Sequence, residues 1–194
     1  MRQAGHATRK RLLEAARQEF TEYGVAGARI NRIASAARAS KERLYTYFPS
    51  KEALFAEVIR LWLLELDSVA QPAPADMPGY VGRLFDHFAQ NPLDSRLSAW
   101  MQLEFGDEAP PAHTDLLSSA IKAVGEGQAQ GAIDPEWDPF DLVMLLVGVA
   151  HTMATTGLST RGLGVERSQV TTQRRAAAVE AARRLIDKAP SQER

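Results

Sequence analysis

Ten side chains between residues 29 and 51 carry donors and acceptors at close spacing: Arg29, Asn31, Ser40, Lys41, Glu42, Arg43, Tyr45, Thr46, Tyr47 and Lys51. Lysine and arginine match the O6 and N7 acceptors of guanine, and a glutamate accepts from cytosine N4. Tyrosine and threonine add hydroxyls and flat rings suited to phosphate and sugar. This is the chemistry of a duplex reader, provided a rigid element carries it into a groove. The run Lys41–Tyr47 fits that need. It has Ser40 before it as an N-cap and Pro49 after it as a stop, and its outward residues Lys41, Glu42 and Arg43 lie at the N-terminal end.

The flanking sequence supplies the supporting elements. Leu12, Leu13, Ala16, Phe20 and Tyr23 recur at helical spacing, which predicts a first helix with Thr8 as N-cap and Gly24 as its stop. Ile30, Ile33, Ala34 and Ala37 predict a short second helix over Arg29–Ala37. Leu44 and Phe48 anchor the third helix inward. Ser50 caps a fourth helix running through Leu54, Phe55, Val58, Ile59, Trp62 and Leu66. Two short helices joined by a tight turn behind a longer one form a helix-turn-helix unit, whose second short helix enters the major groove by its N-terminal part. Arg29 and Lys51 stand at helix starts, where backbone phosphates are met.

The run Thr8-Arg-Lys-Arg-Leu-Leu-Glu-Ala-Ala, then Phe20, Gly24, Ile30, Ile33-Ala34, Ala37, Leu44-Tyr45-Thr46-Tyr47-Phe48, Lys51-Glu52 and Leu54, resembles the tetracycline-repressor (TetR) family signature over about residues 8–58. The resemblance implies an all-helical homodimer with an N-terminal DNA-binding domain and a C-terminal domain that takes a small molecule. It also implies that the last two long helices pair across the dimer axis. By position, Asn31, Lys41, Glu42, Arg43 and Tyr45 match the family's base-contact region, and Arg29, Thr46, Tyr47 and Lys51 its phosphate contacts. Two positions depart from the pattern. Arg38-Ala39-Ser40 stands where Gly-Val-Ser is usual, so a left-handed Arg38 would cost roughly 1 kcal/mol relative to glycine. Ala28 replaces the threonine that usually caps the second helix, so another group must close that end.

Beyond residue 70 the chain continues as helix. Prolines at 72, 74 and 78 predict a loop over Gln71–Pro78, followed by helices near Gly79–Gln90, Leu93–Phe105, Asp115–Ala129, Pro139–Leu158 and Val165–Lys188. No alternating strand pattern occurs, so the fold class is all-α. The expected division is a three-helix DNA-binding domain over 1–50, linked through helix 50–68, and a larger effector-binding and dimerisation domain over 51–194. Charge segregates accordingly. Residues 1–64 hold 12 Lys/Arg against 6 Asp/Glu, residues 65–141 hold 3 against 14, and residues 142–194 hold 8 against 4. A basic head on an acidic body suits a polyanion-binding module attached to something that binds no polyanion.

Several classes are disfavoured. There is no cysteine for a disulfide, thiol nucleophile or thiolate metal site. The basic N-terminus is followed by no apolar run, so a signal peptide is not expected, and the expected location is cytoplasmic. The apolar segment Leu142–Leu158 contains Gly148 and His151, and reads as a bundle helix buried on two sides rather than a membrane span. Ala176, Ala177, Ala178, Ala181 and Ala182 would permit close helix approach. No hydrolase elbow, metalloprotease or P-loop pattern is present. The histidines at 6, 87, 113 and 151 lack metal-ligand spacing, so neither catalytic residues, metal nor cofactor are expected.

The expected partners are a palindromic double-stranded operator, a second copy of the chain and a small-molecule effector. Candidates to line the effector pocket are Phe85, Phe88, Trp100, Met101, Glu104, Phe105, Met144 and His151, an apolar set with a few polar groups. Glu104 is the polar candidate beside Trp100 and Met101. His151 reads first as a hydrogen-bonded core or interface histidine. The alternatives are a DNA-binding regulator under protein control or none, and, more remotely, an enzyme assembled from scattered groups.

Overall fold

The computed structural model describes residues 2–106, 108–155 and 167–187. The helices among them are α1 (Arg2–Gly27), α2 (Ile30–Ala36), α3 (Lys41–Tyr47), α4 (Lys51–Val69), α5 (Met77–Gln90), α6 (Asp94–Phe105), α7 (Pro111–Ala129), α8 (Pro139–Thr155) and α9 (Arg167–Ile186). No strand occurs among the described residues. The chain forms two compact units, residues 1–64 with 93–113, and residues 65–92 with 114–194.

In the first unit, Leu12, Ala16 and Phe20 of α1 are fully buried with Leu44 of α3 and Leu54 of α4. Phe20 meets Phe55 edge-on at 5.1 Å, and Phe55 stacks on Phe105 of α6 at 5.7 Å. Gly24 explains why α1 bends where a stop is expected. Its φ of 64° lies in the left-handed region, and a Cβ there would sit 2.7 Å from the Trp100 ring. Glycine is therefore required twice, by conformation and by space. The α6 helix is further tied to α1 by the ion pair of Arg17 with buried Asp94 at 2.8 Å and by Arg96 donating to the Glu22 carbonyl.

Two expectations for α1 require correction. Thr8 is no N-cap: the helix already begins at Arg2, and Thr8 lies inside it. Tyr23 is no core residue. It is 41% exposed, and its ring carries the Arg32 guanidinium at 4.3 Å.

In the second unit α5, α8 and α9 pack on one another. Phe85 and Phe88 of α5 are buried with Leu142, Leu146 and Ala150 of α8 and with Ala178 and Ala182 of α9. A Cβ at Gly82 would lie 3.2 Å from Val179 Cγ2, so α5 and α9 approach closely there. Arg175 Nε–H of α9 is shared between both carboxylate oxygens of Asp86 at 2.8 and 2.9 Å. The α7–α8 connection closes the end of α9: Trp137 Nε1–H donates to the Leu185 carbonyl at 2.9 Å, and Asp134 N–H to that of Ile186 at 2.8 Å. These bonds satisfy carbonyls that the helix end leaves without partners. Asp138 caps α8 by accepting from the N–H groups of Phe140 and Asp141.

Two boundaries differ from the spacing-based expectation. Asp76, not a later residue, caps α5, because its carboxylate accepts the Gly79 N–H and leaves Met77 and Pro78 as the first helical residues. The α7 helix starts at Pro111 rather than Asp115, since proline suits a helix's first position. The expected ends of α8 and α9 at residues 156–158, 165–166 and 188 lie outside the described residues.

Candidate nucleic-acid interface

Both ends of α2 are closed from α1. At the N-terminal end no side chain of Arg29 caps the helix. The carboxylate of Glu19, only 9% exposed, accepts the Arg29 N–H at 2.8 Å and the Arg32 Nε–H at 2.7 Å. Glu19 is thus the group that replaces a threonine cap at position 28. At the C-terminal end the Ala39 N–H donates to the Ala34 carbonyl and the Arg38 N–H to that of Ser35. This Schellman closure places Arg38 at the position where glycine is usual, and its φ is 52°. Arg11 Nε–H of α1 donates to the Ala37 carbonyl at 3.0 Å and satisfies one more terminal acceptor.

The turn delivers the chain to α3 with Ser40 as N-cap, its hydroxyl accepting the Arg43 N–H at 3.1 Å. Leu44 and Phe48 are buried, whereas Lys41, Glu42, Arg43, Tyr45 and Thr46 are exposed. One short helix therefore presents the side chains singled out from its sequence on its free face. Arg29 and Asn31 are exposed at the start of α2. Lys51 is half-buried at the start of α4, whose first turn is capped by Ser50 accepting from Ala53 N–H.

Several of these groups are already engaged. Thr46 Oγ1–H donates to the Glu42 carbonyl at 3.0 Å, and Lys41 Nζ lies 5.9 Å from the Tyr45 ring centre. Arg43 Nη2–H donates to the Tyr47 hydroxyl at 2.9 Å, while that hydroxyl donates to the Gly5 carbonyl of α1 at 3.1 Å. Glu57 of α4 pairs with Arg60 and with Arg9 of α1. The Arg60 hydrogen bonds, assisted by Arg9, hold the Glu57 carboxyl well below the usual range, at about 2.

Two comparisons bear on this geometry. The family profile described as bacterial regulatory proteins of the tetR family matches residues 12–58, which hold α2, α3 and the adjoining parts of α1 and α4. The profile of the tetracyclin repressor-like C-terminal domain matches residues 76–184, more than half of the chain. The chain belongs to the TetR family. It is a helix-turn-helix transcriptional regulator that binds DNA.

Named relatives agree with this membership. The HTH-type transcriptional repressor SCO4008 of Streptomyces coelicolor is 35% identical over 185 residues, covering 94% of this chain and 96% of that protein. The HTH-type transcriptional regulator RutR of Escherichia coli K12 is 34% identical over 124 residues, covering 61% of this chain and 57% of RutR. Among solved structures, SCO4942 from Streptomyces coelicolor superposes with a TM-score of 0.82 at 40% identity, covering 94% of this chain and 99% of the other. FadR from Bacillus subtilis, solved with stearoyl-CoA, has a TM-score of 0.66 at 15% identity over 92% of this chain and 99% of the other, a likeness of fold alone.

The eight pocket candidates fall in both units of this TetR-family chain. Phe85, Phe88, Met144 and His151 belong to the second, and Trp100, Met101, Glu104 and Phe105 to the first. Trp100 packs against Gly24, Phe105 against Phe55, Met101 is buried, and Glu104 is exposed. Met144 is 45% exposed and lines an apolar groove of about 440 Å³ with Leu145, Gly148, Thr152, Ala177 and Ala181 of α8 and α9. His151 departs from its expectation. Its ring meets Phe88 edge-on at 4.8 Å, but Nε2 is buried with no hydrogen-bond partner among the described residues, and burial lowers the ring's pKa. Sequence reasoning missed Glu19, Arg11 and Gly5, whose supporting roles depend on contacts between helices. The lack of a cap at Ala28 was the only signal that one such group had to exist.

Proposed function

We propose that the protein is a homodimeric repressor that occupies a palindromic operator and leaves it when a small molecule binds the C-terminal unit. The observation that carries the DNA half is the free face of α3, where Lys41, Arg43 and Tyr45 stand exposed on a helix fixed at its cap and anchored by Leu44 and Phe48. Two such helices on a dimer would meet successive major-groove faces about 34 Å apart, which makes the operator two-fold symmetric. The repressor name of the relative SCO4008 supports the direction of control.

Dimerisation is supported by the groove on α8 and α9. Its walls are apolar or small, and Met144 and Leu145 are 45% and 42% exposed on a helix whose opposite side buries Leu142, Val143, Leu146 and Ala150. A second copy of the same surface would remove this patch from water. Effector binding is supported by the match of residues 76–184 to the tetracyclin repressor-like C-terminal domain. The coupling between effector and operator is expected at about 1–3 kcal/mol and must be reciprocal.

The test is selection of bound fragments from the source genome by the purified protein at two salt concentrations. Recovery of one palindromic site supports the reading and names the neighbouring gene. Binding that is salt-sensitive but without a preferred site overturns it.

A further inference from the structure

The Tyr47 hydroxyl stands between two partners on different helices, Arg43 of α3 and Gly5 of α1. It accepts from Arg43 Nη2–H at 2.9 Å and donates to the Gly5 carbonyl of α1 at 3.1 Å. The Arg43 guanidinium carbon also lies 5.1 Å from the Tyr47 ring centre, so the side chain is held by its face as well as by one N–H. Arg43 itself is exposed, and Tyr47 is half-buried. A Cβ added at Gly5 would lie 3.4 Å from the Tyr47 hydroxyl, an ordinary contact, so the ring tip rests directly on α1.

We propose that Tyr47 is a positioning residue for sequence reading: it acts on DNA through Arg43, with Gly5 of α1 as the fixed point. The inference rests on the DNA-binding reading above. A guanidinium has five N–H donors in a rigid planar fork. One bond to Tyr47 leaves enough donors for a bidentate contact with the O6 and N7 of a guanine. A free arginine must give up rotamer freedom when it docks on a base. An arginine already bonded and stacked on Tyr47 has given up much of that freedom before DNA arrives. The hydroxyl has one proton and spends it on Gly5, which leaves it an acceptor toward Arg43 and gives it no proton for a phosphate oxygen. Tyr47 therefore contributes to discrimination between base pairs rather than to uniform attraction for the backbone.

The Tyr47→Phe variant tests this, since it keeps the ring and removes only the hydroxyl. A duplex selected by the wild-type protein from a randomised pool serves as the probe, together with its single-base-pair variants, each at several salt concentrations. Tyr47→Phe is expected to lose about two- to tenfold in affinity for the selected duplex, the range set by ordering one long side chain. That loss should be confined to duplexes that keep the base pair read by Arg43, with an unchanged salt slope. In an Arg43→Ala background the same substitution should change nothing further, because its target is gone. The proposal is overturned if Tyr47→Phe weakens all duplexes equally, the signature of a lost contact to the backbone rather than to a base. It is also overturned if the two substitutions are additive. Failure to select any preferred duplex would instead overturn the DNA-reading function itself.

Discussion

The Glu19 carboxylate and the Arg29 backbone N–H are 2.8 Å apart, and this bond between α1 and the first turn of α2 does the work of a helix cap. The same oxygen accepts from Arg32 Nε–H at 2.7 Å, so one buried acid fixes both the start of α2 and a side chain one turn along. The recognition helix can be aimed only as well as the helix before it is held. Glu19 therefore connects the packing of α1 to the reading of DNA.

Glu19→Ala is expected to destabilise the protein by about 1–3 kcal/mol, the range for leaving buried donors without an acceptor. Glu19→Gln keeps one acceptor oxygen but loses the charge opposite Arg32, so it should cost less than the alanine variant. Urea denaturation of both variants checks the order. Equal losses would mean that the ionic contact with Arg32, and not the cap, carries the effect.

Arg38→Gly should raise stability by roughly 1 kcal/mol. Arg38 sits at φ 52°, where a Cβ crowds the carbonyl and glycine does not. The exposed side chain makes the exchange free of packing losses. A rise in the urea midpoint with no change in m is the expected result; a fall would show that the arginine side chain makes a stabilising contact larger than the strain.

How far such positions can be read from sequence depends on the range of the interaction. Ser40 and Lys41–Tyr47 were legible because a cap and its helix lie within a few residues, and the Arg38 conformation only through the family resemblance, in which glycine is usual at that turn. The loss of a cap at Ala28 was legible, but its replacement was not. Glu19 stands ten residues upstream on another helix, and only packing brings it to Arg29. Thr8 misled for a related reason. A threonine suits a cap, yet residues 2–7 continue the helix, and Tyr47 holds the Gly5 carbonyl within it. The pocket candidates were chosen by residue type, which does not distinguish a cavity wall from a core contact. Trp100 packs against Gly24 and Phe105 against Phe55 within the first unit, with both side chains only partly buried.

Acid stability should depend on Glu57. Its carboxyl is held at about 2 by Arg60 and Arg9, below the ordinary 4.5. A depressed carboxylate contributes stability that is fully present above the unfolded-state value and is lost as pH falls from there through the folded-state value. The loss from this group therefore lies between about pH 4.5 and 2. Glu57→Gln should lower stability at neutral pH and flatten the acid limb of stability against pH within that window. An acid limb of unchanged slope in the variant would assign the dependence to other carboxylates.

The outward face of α8 and α9 predicts the oligomeric state. A Cβ on Gly148 meets nothing within 4 Å, so arginine can be introduced there without disturbing the packing of one subunit, and exchange of a helical glycine favours the helix itself. Within a paired interface the same arginine would be a buried charge without a partner, at a cost of about 3–5 kcal/mol. Gly148→Arg should therefore weaken self-association by at least about a hundredfold, leave the helical circular dichroism unchanged, and reduce affinity for a two-fold operator more than for a half-site. Met144→Arg, on the same groove, should do likewise. Sedimentation velocity over a range of concentrations measures the first effect. Two variants that fold and still sediment as dimers would move the pairing surface elsewhere and leave this apolar groove to another occupant.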